Sequence, residues 1–132
     1  MYLLDTNICI YLIKMSSQNV LDRIKVLKPH QIKLTTISLG ELEYGVSKSQ
    51  YREKNRRALI EFVSSFDILP FNDLDAKVFG LIRADLERRG QVIGSYDMQI
   101  AAQALSRDLV LVTNNIGEFS RISGLRLENW VE

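Results

Sequence analysis

The chain has 132 residues, of which 46% are hydrophobic and 25% are charged, and its formal net charge is +1. This length supports one hydrophobic core and is too short for two ordinary domains, so we expect a single domain over residues 1–132. The near-neutral charge does not by itself indicate a nucleic-acid-binding protein. Cys9 is the only cysteine, which excludes an intramolecular disulfide. We see no secretory signal and no apolar run near the roughly 20 residues of a membrane span, which predicts a cytoplasmic protein.

Short apolar runs alternate with amphipathic segments in the first half of the chain. In chain order, the pattern predicts a strand at residues 2–4, helices at 6–14 and 19–27, a strand at 32–37, and helices at 38–46 and 51–65. Ser38 is the expected N-cap of its helix, because its hydroxyl can accept a hydrogen bond from a free amide of the first turn.

The same alternation continues to the end of the chain. It predicts a strand at residues 67–71, helices at 74–89 and 95–105, and strands at 109–112 and 125–128. Pro70 has no amide hydrogen for a ladder, which places the first of these strands at a sheet edge. Asp73 and Ser95 are expected helix caps, and Gly90 a left-handed helix stop. The order indicates an α/β fold with a mostly parallel central sheet of about five strands and helices on both faces.

Acidic side chains recur where strands give way to helices. Asp5, Glu41 and Asp97 each follow a predicted strand or open the next helix, and a fourth such junction holds residues 113–115 with Glu118. In a parallel sheet these junctions meet along one edge, where ligands bind. Carboxylates gathered there would repel one another unless a hard cation lay between them. The pattern therefore predicts a magnesium or manganese site and phosphate chemistry.

Each of these acids also has a purely structural explanation. Asp5 could cap the first helix, and Asp97 lies in a first turn, where the helix dipole favours negative charge. Glu41 stands three residues after Ser38, as in a capping box, so both interpretations stay open for it. The structural explanations do not account for three such helix starts following strands of one sheet.

Four ordered motifs resemble those of the PIN-domain ribonucleases. They lie at residues 3–7, 36–45, 93–102 and 112–115. More narrowly, the chain is similar to the VapC toxins of bacterial toxin–antitoxin pairs, from Met1 to Trp130. The resemblance implies a PIN-like three-layer sandwich and a metal-dependent endoribonuclease whose activity inhibits translation. The alternative is a catalytically idle PIN-fold scaffold that binds RNA or protein.

The resemblance also implies which residues form the site. Asp5 and Asp97 match positions that hold Mg²⁺ or Mn²⁺, and Glu41 matches one that binds directly or through water. Many PIN domains carry an aspartate where this chain has two asparagines, so either Asn115 or Glu118 completes the catalytic set. The residues expected to line the site are Thr6, Asn7, Thr113, Asn114 and Asn115.

The predicted chemistry is hydrolysis of a phosphodiester bond. A bound magnesium ion lowers the pKa of one of its waters, which favours direct attack on phosphorus and leaves 5′-phosphate and 3′-hydroxyl ends. The rival route through the ribose 2′-hydroxyl uses a pair of histidines, and this chain has only His30, which we expect in a loop.

The resemblance further implies structured RNA as substrate, with transfer RNA, and the initiator species in particular, as a candidate. Flexible RNA loops suit such a site because their backbone can bend into it. A basic run could hold the flanking phosphates, although such a run is also typical of a solvated helix face. It comprises Lys48, Arg52, Lys54, Arg56 and Arg57, with Arg83, Arg88 and Arg89 as further possibilities.

The expected protein partners are a VapB-like antitoxin and a second copy of the chain, with higher assembly around the toxin homodimer. The first helix carries more apolar residues than one core-facing stripe requires. These residues, predicted to form either a partner groove or ordinary core, are Ile8, Ile10, Tyr11, Leu12 and Ile13.

Overall fold

The structure is a computed structural model that describes all residues from Met1 to Glu132. Five strands alternate with seven helices and one short 3-10 turn. The strands are β1 (Tyr2–Leu4), β2 (Ile32–Thr35), β3 (Asp67–Leu69), β4 (Val110–Val112) and β5 (Leu127–Glu128). The helices are α1 (Thr6–Lys14), α2 (Gln18–Lys25), α3 (Thr36–Lys48), α4 (Arg52–Val63), α5 (Asp73–Arg88), α6 (Ser95–Ser106) and α7 (Ile116–Phe119), and the 3-10 turn covers Pro29–Gln31.

All five strands are parallel and stand in the order β3-β2-β1-β4-β5. Because β1 lies at the centre, its carboxyl end has the ends of β2 and β4 on either side. β3 forms one edge of the sheet, as Pro70 predicted. The predicted α/β fold is confirmed, and the sheet is wholly rather than mostly parallel.

The sheet separates two hydrophobic cores, because successive residues of a strand point to opposite faces. Leu3 and Leu111 are paired across β1 and β4 and lie in the core formed with α5, α6 and α7. The next pair along, Leu4 and Val112, lies in the core formed with α1 to α4. This is the predicted three-layer arrangement. None of the helices combines the length and apolar composition that crossing a membrane requires.

Strand β2 is shorter than predicted. It ends at Thr35, whose Oγ1 accepts a hydrogen bond from the amide of Ile37 at 3.0 Å and so caps α3. The threonine hydroxyl competes with continued strand pairing, which the apolar-polar alternation of residues 32–37 concealed. Ser38 therefore lies inside α3, buried, and the prediction that it caps this helix is wrong.

Two further cap predictions are wrong. Asn72, not Asp73, caps α5, because its Oδ1 accepts from the Asp75 amide at 3.1 Å while Asp75 Oδ2 accepts from the Asn72 amide at 2.9 Å. Helix α6 follows Gly94 and has no side-chain cap, so Ser95 is its first residue. Gly90 does adopt the predicted left-handed conformation, with φ of +67°.

One buried ion pair ties α5 to the end of α6. Asp75 is fully buried and accepts hydrogen bonds from the Ser106 hydroxyl and, at 2.9 Å, from Arg107 Nη2. Arg107 Nη2 also donates to the Pro70 carbonyl at 2.7 Å, beside strand β3. Each oxygen of this carboxylate is thus used within the protein.

Candidate active site

The three predicted metal-site acids line one cleft at the carboxyl ends of the strands. The cleft has a volume of about 1270 Å³ and lies among α1, α3, α4 and the start of α6. We call it the acidic cleft. The predicted site residues that line it are Asp5, Thr6, Asn7, Glu41 and Asp97. Residues from three separate elements therefore meet where the parallel topology predicted.

Asp5 follows β1 directly and is only 5% exposed. Its Oδ1 accepts a hydrogen bond from the Ile8 amide at 2.9 Å, so the capping interpretation of this residue is correct. Burial raises the pKa of Asp5 from its ordinary value of 3.8 to about 6. Hydrogen bonds from Thr113 and Ile8 oppose this shift, while the charges of Asp97 and Glu41 add to it.

Glu41 lies in the second turn of α3 and contacts the first turn of α1. The Thr6 hydroxyl donates to Glu41 Oε1 at 2.6 Å, and Ser38 Oγ lies 3.0 Å from Thr6 Oγ1. Because Thr35 caps α3, Glu41 is too far along the helix for a capping box, and that alternative is wrong. Its position is set instead by a contact between residues distant in sequence.

Asp97 is the third residue of α6 and is half-buried. Burial raises the pKa of Asp97, and the neighbouring charges of Glu41 and Glu118 raise it further. The helix dipole favours a negative charge in this first turn, as predicted. The neighbouring carboxylates oppose it, because like charges repel.

The fourth predicted junction, residues 113–115 with Glu118, lies beside the acidic cleft and does not line it. The Asn115 amide donates to Thr113 Oγ1 at 2.9 Å, and Asn115 Nδ2 donates to Glu118 Oε2 at 2.9 Å. Asn114 points elsewhere, since its Oδ1 accepts from Asn129 Nδ2 at 3.2 Å. Asn115 and Glu118 thus form one hydrogen-bonded pair, and the choice between them stays a prediction. The short helix α7 that holds Glu118 was not predicted.

None of the four predicted catalytic acids has a cationic partner. The ion pairs of the chain use other acids, such as Glu43 with Arg56 at 2.7 Å and Asp75 with Arg107 at 2.9 Å. Unpaired, partly desolvated carboxylate oxygens are the ligands that hard divalent cations prefer. No three Asp, Glu, His or Cys side chains are arranged to hold one ion directly. The oxygen donors of Asp5, Glu41 and Asp97 fit a hard divalent cation such as magnesium, which completes its coordination with water.

Only one of the predicted RNA-contacting cations lines the acidic cleft. Lys48, at the end of α3, does so. Arg56 is paired with Glu43, and the other residues of the run lie on or beside α4 outside the cleft lining. The further arginines lie on or directly after α5, across the sheet, where Arg83 pairs with Glu87 and Arg89 with Asp85.

The apolar residues of α1 divide between the two predicted roles. Ile8 is fully buried, and Tyr11 and Leu12 pack against the core beneath α1 to α4. Ile10 and Ile13 pack there as well but also line the acidic cleft. The lone histidine, His30, is exposed in the 3-10 turn and does not line the cleft.

Several residues of the acidic cleft were not predicted from the sequence. They are two tyrosines, two glycines and a lysine, namely Tyr44, Tyr96, Gly40, Gly45 and Lys14. The helical spacing of Tyr44, three residues after Glu41, was a usable signal, because such residues share a helix face. Lys14 offered a similar signal, because it stands seven residues after Asn7, two turns along the same face of α1.

Comparison with known proteins assigns the chain to a family. The family model described as PIN domain matches residues 2–125. The chain is 42% identical to ribonuclease VapC2 of Rickettsia felis over 130 residues, which cover 98% of this chain and 97% of that protein. It is 43% identical over 129 residues to the tRNA(fMet)-specific endonuclease VapC of Shigella flexneri, with 98% and 97% covered.

A solved structure shows the same likeness. The crystal structure of VapBC2 from Rickettsia felis, bound to a DNA fragment from their promoter, matches with a TM-score of 0.92 and 42% identity over 98% of both chains. The chain therefore belongs to the PIN-domain family, whose nucleases generally depend on divalent metal ions. Within this family it is a VapC-type ribonuclease, the toxin of a toxin–antitoxin pair.

Proposed function

We propose that this ribonuclease uses Mg²⁺ or Mn²⁺ in the acidic cleft to hydrolyse phosphodiester bonds of structured RNA and thereby inhibits translation. The observation that carries the proposal is the meeting of Asp5, Glu41 and Asp97 in one cleft without any cationic partner. Such a cluster is electrostatically unfavourable by itself, and a bound cation relieves the repulsion.

Each residue has a distinct role in this proposal. Asp5 and Asp97 anchor the ion, and Glu41 binds it directly or through one of its waters. Thr113 and the Ile8 amide hold the Asp5 carboxylate in one orientation, so its remaining lone pairs are directed in advance. Thr6 does the same for Glu41. Asn115 orients Glu118, whose negative charge acts on Asp97 and adds to the attraction for a cation.

The bound ion supplies Lewis-acid stabilisation of the phosphate and a water of lowered pKa. The chain has no pair of histidines to activate the ribose 2′-hydroxyl, so hydrolysis is the route its residues support. The proposed products carry 5′-phosphate and 3′-hydroxyl ends.

Transfer RNA, with the initiator species as first candidate, is the proposed substrate, because a relative 43% identical to this chain is a tRNA(fMet)-specific endonuclease. The proposed partner is a VapB-like antitoxin, because the matching crystal structure is of a VapBC pair. We further propose a cytoplasmic protein that acts as one nuclease domain over residues 1–132 and forms a homodimer, which assembles further with the antitoxin.

The test of metal dependence uses purified chain on total RNA with Mg²⁺, Mn²⁺ or a chelator, beside Asp5→Asn. We expect cleavage that needs the metal and disappears in the variant. The scaffold alternative predicts no cleavage that depends on both the metal and Asp5.

The test of product and substrate uses initiator and elongator transfer RNA transcripts with labelled ends. We expect preferential cutting of the initiator species and 3′ ends that a poly(A) polymerase can extend. A 2′,3′-cyclic phosphate end would contradict the hydrolytic mechanism, and equal cutting of both transcripts would contradict the proposed specificity.

A further inference from the structure

Two exposed tyrosines line the acidic cleft beside its carboxylates. Tyr44 is 66% exposed and Tyr96 is 61% exposed, so both rings have a large surface open to the cleft. We propose that their rings form a base-stacking subsite, which binds RNA as an unstacked single strand next to the bond that is cut. The proposal rests on the proposed RNA substrate of the cleft, and it identifies the residues that hold the bases.

The positions of the rings fit this role. Tyr44 stands three residues after Glu41 on α3, so both side chains lie on one face of the helix. Tyr96 directly precedes Asp97 in the first turn of α6. A nucleobase is joined to its phosphate through a single ribose. A phosphate placed among the carboxylates and their cation therefore brings the flanking bases within reach of rings that stand beside the same carboxylates.

The cleft pairs aromatic surface with positive charge. Lys48 Nζ lies 4.9 Å from the centre of the Tyr44 ring, one helical turn further along α3. Lys14, at the end of α1, lines the same cleft and has no acidic partner. Proteins that bind single-stranded nucleic acid combine these same two features, cations for the backbone and aromatic rings for the bases.

Two glycines leave the wall of the cleft open. Gly40 and Gly45 lie within α3 on either side of Tyr44, where glycine weakens a helix relative to alanine. A Cβ atom added to either one would meet nothing within 4 Å, so packing inside the protein does not require glycine here. An incoming strand gains from the open surface, because its bases and ribose can approach the helix backbone closely.

RNA suits this surface better than an apolar peptide does. The same cleft holds carboxylates that attract a cation and lysines that attract phosphate, which is the charge pattern that complements a metal-bound nucleotide. Stacking also tolerates any base, because every base has a π-face. We therefore argue for RNA and treat a protein occupant as an outcome of the test.

The binding experiment measures fluorescence anisotropy with an unstructured RNA of about ten nucleotides, a length in the range of single-strand sites. All variants carry Asp5→Asn and are measured in Mg²⁺, so that the RNA stays intact. Tyr44→Ala and Tyr96→Ala are compared with Tyr44→Phe, which keeps the ring. The matched control is Tyr51→Ala, because Tyr51 is 68% exposed and lies outside the cleft lining.

We expect each cleft alanine variant to raise the Kd about tenfold, the size of one base–aromatic stack. Tyr44→Phe and Tyr51→Ala should leave the Kd within about twofold of the parent, a change well below one stack. On a second RNA with abasic riboses throughout, the cleft alanine variants should bind as well as the parent, because no base remains to stack. Equal losses on both RNAs would overturn the proposal, as would an equal loss in Tyr51→Ala.

Gly40→Ala separates binding from folding. Alanine should raise the midpoint of urea unfolding, because it favours the helix, and yet weaken RNA binding, because its methyl group enters the cleft. A variant that is more stable and binds RNA equally well would contradict the role given to the glycines.

The tyrosine variants also test for a protein occupant. If they bind RNA normally but lose affinity for a co-purified antitoxin, the surface belongs to that protein and the proposed subsite is wrong.

The two proposals fail in different ways. In chains that keep Asp5, Tyr44→Ala and Tyr96→Ala could leave metal-dependent cleavage unchanged. That result would support the nuclease function and contradict the stacking subsite. RNA binding that depends on the tyrosines and on the bases, in a protein that cleaves no RNA, would support the subsite and contradict the proposed hydrolysis.

Discussion

Asp5 and Asp75 are two aspartates buried at the starts of helices, with exposed fractions of 5% and 0%. Asp75 faces a cation, because Arg107 Nη2 donates to it at 2.9 Å, and the Ser106 hydroxyl and the Asn72 amide use its remaining capacity. Asp5 faces Asp97 and Glu41 instead, and it forms no ion pair with a cation. Both side chains are buried near the start of a helix, and their neighbours differ in the sign of their charge.

The pKa values of these two carboxyls move in opposite directions. Burial raises the pKa of each carboxyl by disfavouring its charge. For Asp75 the hydrogen bonds from Arg107, Ser106 and Asn72 outweigh burial, and its pKa falls below the ordinary 3.8. For Asp5 the pKa rises to about 6. Asp75 therefore stabilises the fold in its charged form, while Asp5 holds a destabilising charge that suits it to bind a cation.

The largest expected effect is on catalysis. Asp5→Asn should reduce metal-dependent cleavage about a thousandfold or more, because a metal ion contributes several kcal/mol to transition-state stabilisation. At pH 7 the metal-free variant should be more stable than the parent, because the destabilising Asp5 charge is gone. The matched control, Asp75→Asn, should lose stability while keeping its cleavage rate per folded molecule. Cleavage assays and urea unfolding of both variants measure the contrast.

The same comparison can be made at Asp97. Asp97→Asn should also abolish cleavage and leave the metal-free protein at least as stable, because it removes one of the mutually repelling charges. A melting temperature several degrees below that of the parent would instead assign Asp97 a structural role.

The next largest effect is on the buried ion pair. Arg107→Met should lower the free energy of unfolding by about 3 kcal/mol, because it leaves the Asp75 charge buried without its cation. Arg107 is itself only 26% exposed, so water replaces it poorly. Combining Arg107→Met with Asp75→Asn should recover part of this loss, because the buried charge is gone. Equal stability of the single and double variants would show that the Asp75 charge is solvated.

The two aspartates should also give opposite pH dependence. Folded Asp5, with a pKa of about 6, binds its proton more tightly than the unfolded chain does, so its contribution to stability is full below pH 3.8 and declines as the pH rises to about 6. This decline amounts to about 3 kcal/mol in metal-free protein. Asp75 contributes stability above its unfolded pKa and loses it as the pH falls.

The contribution of Asp5 can be measured by urea unfolding of the parent and of Asp5→Asn, without metal, between pH 4 and 7. Asn at position 5 should remove the decline, and Mg²⁺ added to the parent at pH 7 should offset it, because the ion binds only the folded state. Parent and Asp5→Asn proteins whose stability changes equally over this range would contradict the assignment of Asp5 as a repelled charge.

The smallest effect on stability is expected at Glu41. Glu41→Gln should change the free energy of unfolding by no more than about 0.5 kcal/mol, because the glutamine oxygen still accepts from the Thr6 hydroxyl and no helix cap is lost. Cleavage should nevertheless fall, because the charge that helps to hold the ion is gone. Cleavage at the parent rate would remove Glu41 from the proposed metal site.

The sequence by itself determined the order of the strands and of the six longer helices, the edge position of β3 and the gathering of Asp5, Glu41 and Asp97 at one sheet edge. These features follow from local rules, namely apolar periodicity, the missing amide of Pro70 and the geometry of parallel strands. The four motifs that resemble the PIN family are likewise continuous stretches of sequence.

Only the tertiary structure decided what each polar side chain faces. Thr6 and Glu41 are separated by 35 residues, and Asp75 and Arg107 by 32. No periodicity connects positions so far apart, and from the sequence a capping box after Ser38 was as consistent with Glu41 as a place in the metal site. The sign of the neighbouring charge is a property of packing between elements. Because its neighbour is a cation, Asp75 stabilises the fold. Because its neighbours are carboxylates, Asp5 is suited to bind a metal ion.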